Sequence, residues 1–187
     1  MPGQHIRAQA GDVIDDPEVY AIYASVLPAR FSSGDMDLTR IALLDETRAK
    51  MECLPELGPD WEIVLENYKK ENARGRRFVP GFDVGLPYTL VSSTEVDSLI
   101  AESLDKIRRR MKEPDGPLAS RPFDRFPNGK VLSFSAVGFD AAKTRAVVTV
   151  QYRCGFDCSG GWHVLREKNG GRWGPPAGNA PTCTWIS

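Results

Sequence analysis

The stretch VLSFSAVGFDAAKTRAVVTVQYRC, residues 131–154, decides the fold class. Its apolar side chains recur at every second position in two runs, and a turn at residues 140–143 separates the runs. A period of two is typical of antiparallel strands that turn one face toward a core and the other toward water. The stretch therefore predicts two strands, with Arg145, Thr149 and Gln151 on the polar, water-facing side of the second.

Strand signals continue to the end of the sequence. Residues 162–168 predict a third strand, and Asn169-Gly170 is a strong hairpin-turn signal that sends the chain back at Arg172-Trp173. A segment rich in Pro and Gly, residues 174–181, precedes a last short strand at 182–187. The C-terminal third is therefore predicted to form an antiparallel meander of about four strands.

Helix signals lie upstream of the meander. Asp16-Pro17 and Pro59-Asp60 begin two predicted helices, and Ser92 has capping-box spacing to Glu95 at the start of a third. Pro28 and the stretch at 31–35 are predicted to stop the first helix. The third helix carries an apolar stripe that predicts one buried face, formed by Val96, Leu99, Ile100, Leu104, Ile107 and Met111. Two short extended segments, at 38–44 and 88–91, separate the helices.

These elements predict an α+β fold in which N-terminal helices cover the C-terminal antiparallel meander, an arrangement like that of cystatin- or NTF2-type folds. With 187 residues the chain suits one domain, predicted over residues 16–187 after a loose polar arm at 1–15. A net charge of −1 and a pI near 6.2 argue against nucleic acid as a partner. No apolar run is long enough to span a membrane.

Residues 131–187 resemble a family of bacterial proteins, many of them exported, that is recognised by its sequence pattern and has no established activity. The resemblance is carried by Leu132-Ser133, Val137-Gly138-Phe139-Asp140, Ala146–Val150, Cys154-Gly155, Cys158, Gly161, Lys168-Asn169-Gly170, Trp173 and Trp185-Ile186-Ser187. Two departures from the pattern are Ser159, where the family repeats glycine, and residues 174–181, which replace a continuing strand. The resemblance implies an antiparallel sheet and export. No leader is visible, so we expect a periplasmic or secreted protein whose leader is absent from this numbering, with a cytoplasmic protein as the alternative.

Cys154 and Cys158 are candidates for a disulfide, because three intervening residues place them opposite each other at a hairpin neck. A redox centre is disfavoured, since such centres have two intervening residues at a helix N-terminus. A zinc site of Cys154, Cys158, His163 and Cys183 is disfavoured because His163 is predicted to face away from Trp162. Cys53 is interpreted either as a free thiol or as a partner for Cys183, and the sequence does not select between the two.

The sequence contains none of the familiar nucleophile, phosphate-loop or metalloprotease motifs, and no cofactor or metal is predicted. The leading hypothesis is a non-catalytic exported protein that binds a partner or ligand through sheet-end loops, with Phe156, Asp157, Trp162 and His163 as candidate binding residues. Phe156 lies at the centre of a tight loop and is predicted to be exposed there. The competing hypotheses are a thiol- or zinc-dependent enzyme using Cys154, Cys158 and His163, and a cytoplasmic structural subunit.

Overall fold

A mixed sheet lies at the centre of the fold. The computed structural model describes residues 13–31, 40–48, 57–112, 122–155, 158–177 and 183–186. Within those ranges eight strands form one sheet. They are β1 (Ile41–Leu44), β2 (Tyr88–Val91), β3 (Val131–Phe134), β4 (Gly138–Phe139), β5 (Arg145–Arg153), β6 (Ser159–Asn169), β7 (Arg172–Gly174) and β8 (Thr184–Ile186).

The C-terminal strands pair antiparallel as predicted, but the sheet is larger than a meander. Its order is β2-β1-β3-β5-β6-β7, with β4 paired to β5 and β8 paired to β6. The upstream strands β1 and β2 run parallel to each other, and β1 runs parallel to β3. Parallel neighbours need long crossover connections, and here each crossover contains a helix. The antiparallel C-terminal meander and the α+β class are therefore confirmed, and the parallel pairs of β1 are an addition that the sequence did not predict.

The described helices are α1 (Pro17–Phe31), α2 (Glu62–Glu71) and α3 (Ser93–Lys112), with short 3-10 turns at Pro59–Trp61, Pro122–Arg125 and Pro127–Gly129. Asp16 Oδ1 accepts a hydrogen bond from Glu18 N–H at 3.0 Å, and Ser92 Oγ accepts one from Glu95 N–H at 3.1 Å, as expected of N-caps. The first helix continues past Pro28 and ends at Phe31, the first residue of the predicted stop at 31–35.

Polar contacts near its N-terminus and at its middle connect helix α1 to the sheet. Glu18 accepts hydrogen bonds from Lys168 Nζ at 2.7 Å and from Trp173 Nε1 at 2.8 Å. Arg166 donates to Ser25 Oγ at 3.1 Å and to the Ser25 carbonyl at 2.9 Å. Burial lowers the pKa of the Arg166 guanidinium. These contacts tie α1 to strands β6 and β7.

Both faces of the sheet are covered. The larger core lies under α1 and includes Tyr23, Phe134 and Val148, whereas Val64 and Tyr68 of α2 cover the opposite face at Val147 and Leu165. Thr149 belongs to this second face and is fully buried, so the prediction that it faces water was wrong. The sequence alternation correctly separated the two faces, but a strand whose polar face lies under a helix shows the same alternation.

Helix α3 is buried along only part of its predicted apolar stripe. Val96 and Leu99 are buried beside β1 and β2, whereas Ile107 is 42% exposed and Met111 is 82% exposed. The helix has 20 residues and is about 30 Å long, while the neighbouring β2 has four residues and spans about 13 Å. Its C-terminal half therefore extends beyond the short strands that it covers.

The start of the described chain is attached to the fold. Val13 forms a bridge with Arg77, and Ile14 is buried and donates its N–H to the Arg77 carbonyl at 2.9 Å. The last residues of the predicted arm, 13–15, are therefore held against the domain, and residues 1–12 lie outside the described ranges. Among the described helices, none has the length and hydrophobicity needed to span a membrane.

Candidate functional site

The predicted disulfide is present at the neck of the β5–β6 hairpin. Cys154 and Cys158 are bonded to each other, with their Cα atoms 5.1 Å apart. Cys154 also donates its N–H to the Cys158 carbonyl at 2.9 Å, so covalent bond and hydrogen bond close the same small loop. Phe156 and Asp157, the candidate binding residues at the tip, lie outside the described residues and stay a prediction.

The other two candidate binding residues are in the interior. Trp162 is 8% exposed and belongs to the core under α1, whereas His163 is 2% exposed on the opposite face. The prediction that they face opposite sides of the strand is therefore right. Neither side chain is accessible to a partner in this structure, because helices cover both faces of β6.

His163 belongs to a buried polar chain that links strand β6 to helix α2. Thr149 lies directly opposite His163 in the β5–β6 pairing, and its Oγ1 is 2.7 Å from His163 Nδ1. The same Oγ1 is 2.5 Å from the Tyr68 hydroxyl oxygen. Burial raises the pKa of the Tyr68 hydroxyl above its ordinary value of 10.0, so the phenol stays protonated. One hydroxyl thus satisfies two larger polar groups.

Strand β8 covers this chain from the outer side. The Trp185 ring lies 5.3 Å from the His163 ring, centroid to centroid, and occupies the space above Gly161. A Cβ on Gly161 would stand 2.5 Å from Trp185 Cζ2, so only glycine leaves room for the indole. Cys183, just before β8, is also disulfide-bonded, and Cys53 lies outside the described residues. Strand β8 pairs antiparallel with β6, so the Pro/Gly-rich segment before it does not prevent the last predicted strand from joining the sheet.

The structure does not assemble the residues of the thiol or zinc hypothesis. Cys154 and Cys158 are consumed by their mutual disulfide, which leaves neither a thiolate nucleophile nor a thiolate ligand. Cys158 and His163 are five residues apart on an extended strand, which separates them by about 17 Å. In the described part of the chain, no three His, Cys, Asp or Glu side chains are grouped so that they could hold a metal ion.

The end of the sheet that carries the Cys154–Cys158 hairpin also carries the first residues of β1 and β2. Val131 pairs with Arg153 on one side and with Ala42 on the other, and Ala42 pairs in turn with Thr89. A row across the sheet therefore runs from β2 to the residue before Cys154, over three strand spacings or about 14 Å. We call this the sheet-end surface, defined by Arg40, Tyr88, Lys130 and the Cys154–Cys158 loop.

A groove opens at the β2 end of this surface. Its volume is about 760 Å³, and its lining consists of Arg40, Gly81, Phe82, Leu86, Pro87, Tyr88 and Leu90. Phe82 anchors the loop above the strand, with its ring centroid 4.7 Å from that of Tyr20 and 5.0 Å from that of Tyr88. The groove is therefore apolar along its wall, with the exposed Arg40 at its mouth.

The sequence interpretation treated the segment before β2 only as a loop and did not identify the groove. Two signals were available. Pro87 immediately before a four-residue strand is typical of an edge strand, since proline cannot donate to an interior ladder. Phe82 and Leu86 in a Gly/Pro-punctuated loop indicate a loop that is anchored on the fold. Neither signal shows that the anchored loop stands away from the strand and leaves a groove.

Comparison with known proteins finds no family model and no solved structure that matches the chain. Among curated proteins, pig calpastatin (Sus scrofa) is 28% identical over 146 residues, which cover 76% of this chain. The match spans only 19% of calpastatin. This likeness does not establish a family for the chain.

Proposed function

We propose that the protein is an exported, non-catalytic binding protein that engages a partner through the sheet-end surface around the Cys154–Cys158 hairpin. The observation that carries the proposal is the disulfide itself. Disulfides persist in oxidising compartments and are rare in reducing ones, and Cys183 is also oxidised. A periplasmic or secreted location therefore fits the chemistry of these cysteines better than a cytoplasmic one.

The position of the disulfide supports a role in binding. A closed loop this short contributes only about 2 kcal/mol to stability by the chain-entropy model. The hairpin it closes already has a nine-pair antiparallel ladder behind it. The cross-link therefore acts mainly at the hairpin neck between Cys154 and Cys158, and loops on a rigid scaffold are where binding residues concentrate.

The polar chain at His163 supports the non-catalytic part of the proposal. Its hydroxyls and imidazole are hydrogen-bonded to one another, buried, and covered by α2 and Trp185. Such a chain fixes the packing of α2 on the sheet. A hydrolytic role for His163 would require an opening in this cover.

The compartment is tested by locating the protein in its native cell and measuring its mass before and after reduction. We expect it outside the cytoplasm, with a mass that rises by two hydrogens per disulfide when it is reduced. Cytoplasmic protein with four free thiols contradicts the proposal. Stoichiometric zinc in protein purified without chelator favours the enzyme hypothesis instead.

Binding is tested by photo-cross-linking from position 130, which lies on the sheet-end surface, with position 172 as a control. Arg172 is exposed and pairs with Asn169, ten residues along β6 from Ser159 and therefore about 33 Å from the hairpin neck. We expect a cross-linked partner from position 130 alone, and the purified partner should bind the Cys154→Ser/Cys158→Ser double variant more weakly. Equal cross-linking from both positions, or unchanged binding by the double variant, refutes the assignment of the surface.

A further inference from the structure

We propose that the groove beside β2 binds an extended peptide, which adds to the sheet as a further strand and places a carboxylate against Arg40. This inference deepens the proposed function, on which it rests, by naming the chemical class of the partner. Three features support it: a strand edge that no other described strand covers, an apolar wall beside that edge, and a cation that has no carboxylate partner among the described residues.

The open edge is a consequence of how β2 pairs. Strand β1 lies on one side of β2, and no described strand lies on the other. Ile41 N–H donates to the Pro87 carbonyl at 3.0 Å, and Asp45 N–H donates to the Val91 carbonyl at 2.9 Å. In a parallel pair every second residue turns its backbone groups to the neighbouring strand. The N–H and C=O groups of Tyr88 and Leu90 therefore point to the open edge.

The same two residues supply side chains to the groove. Tyr88 and Leu90 are half-buried on the α1 face of the sheet, and they line the groove together with Phe82 and Leu86. A peptide that pairs with the backbone of Tyr88 and Leu90 turns alternate side chains into this groove. Strand addition commonly works in this way, with main-chain hydrogen bonds giving affinity and a pocket for alternate side chains giving selectivity.

The positive charge of Arg40 favours a peptide that carries a negative charge. It is exposed, precedes β1 directly, and forms no salt bridge with a described carboxylate. The carboxylate of the neighbouring loop, Asp83, accepts a hydrogen bond from Gly85 N–H at 2.6 Å. A guanidinium presents paired donors that match a carboxylate. The complementary ligand is therefore a peptide with either a free C-terminus or an acidic side chain.

The experiment uses the full chain with its disulfides intact and a displayed library of linear peptides with free C-termini. The peptide enriched most strongly is synthesised, and its affinity is measured by fluorescence anisotropy. N-methylation of each peptide amide in turn should weaken binding about tenfold at every second position and leave the alternate positions nearly unchanged. Arg40→Gln should weaken binding about fivefold.

Two peptide arms identify the source of the carboxylate. Replacing the free C-terminus of the peptide by an amide should make binding independent of Arg40 if the terminus is recognised. Replacing Asp by Asn, or Glu by Gln, in the peptide should do so if a side chain is recognised. Thr89→Ala is the matched control, because Thr89 is exposed on β2 and lies on the opposite face from Tyr88. This variant should bind with unchanged affinity.

The outcomes separate the inference from the function on which it rests. Three results would each overturn the peptide site. They are a library without a saturable binder, an N-methyl scan without the two-residue period, and an affinity that does not depend on Arg40. A partner cross-linked from position 130 would then still support the sheet-end function. Conversely, a peptide with the expected pattern, together with no partner at position 130, would support the groove and refute the hairpin end.

Discussion

Replacing Thr149 by Val should destabilise the protein more than the loss of one surface hydroxyl would suggest. Val has nearly the same shape as Thr, so the packing of β5 is retained and only the hydroxyl is lost. That hydroxyl lies 2.5 Å from the Tyr68 oxygen and 2.7 Å from His163 Nδ1. The variant therefore withdraws one partner from two buried polar groups at once.

The magnitude follows from the burial of the groups that remain. Tyr68 is fully buried and His163 is 2% exposed, so water does not readily replace the missing hydroxyl. A buried polar group left without its partner costs about 1–3 kcal/mol. The Ser135 hydroxyl also interacts with Tyr68, which reduces the cost at that residue. We expect Thr149→Val to lower the free energy of unfolding by about 2–4 kcal/mol.

Tyr68→Phe is the matched comparison, because it removes one partner and leaves the hydrogen bond between Thr149 and His163 in place. It should cost about 0.5–1.5 kcal/mol. In the double variant the Tyr68 hydroxyl can no longer be left unpaired, so its destabilisation should be less than the sum of the single effects. The cycle thereby measures the coupling through the shared hydroxyl.

Urea unfolding of the oxidised protein, followed by tryptophan fluorescence and circular dichroism, measures these differences. A loss of about 3 kcal/mol corresponds to a fall in Tm of about 6–12 °C for a chain of this size. If Thr149→Val lies within 1 kcal/mol of the wild type, or if Tyr68→Phe costs more than Thr149→Val, the polar chain does not hold α2 on the sheet as described.

Two further predictions concern the edges of the fold. Hydrogen bonds from Lys168 and Trp173 lower the pKa of Glu18 from its ordinary value of 4.5. The resulting stabilisation is complete above pH 4.5 and is lost as the pH falls through the lower folded-state pKa, so Glu18→Gln should flatten the acid side of a stability–pH profile. Gly161→Ala should displace Trp185, lower stability by about 1–3 kcal/mol and shift the tryptophan emission, whereas Gly174→Ala, whose Cβ would meet nothing within 4 Å, should change neither.

The helices and the antiparallel strands were predictable because their signals are local. A capping residue, a stripe of apolar side chains or an Asn-Gly turn acts within a few residues of itself, and these signals gave α2, the start of α3 and the β6–β7 hairpin. The parallel pairing of β1 with β2 was not predictable in this way. Both strands were identified as extended segments, but their pairing depends on crossovers of tens of residues that carry no local signal.

The same difference between local and long-range signals applies to the candidate site. The disulfide followed from spacing alone, since only three residues separate the cysteines. The burial of Trp162 and His163 depends on α2, α1 and β8, which approach from distant parts of the chain. Ser135 and Thr149, which are both fully buried, show the limit most clearly, because a polar residue beneath a helix and a polar residue in water have the same sequence pattern.

The disulfide closes the neck of the β5–β6 hairpin, whereas the polar chain holds α2 on the sheet. Stability measurements on variants distinguish the two effects. The double variant Cys154→Ser/Cys158→Ser should lower the free energy of unfolding by about 2 kcal/mol or less, because the loop it opens is short. The antiparallel β5–β6 ladder behind the hairpin neck remains in this variant, so its circular dichroism spectrum should be unchanged. Thr149→Val should have the larger effect on stability and no effect on the sheet-end surface. If the cysteine variant proves the more destabilising of the two, the cross-link holds the fold itself, and the argument that it serves a binding loop fails.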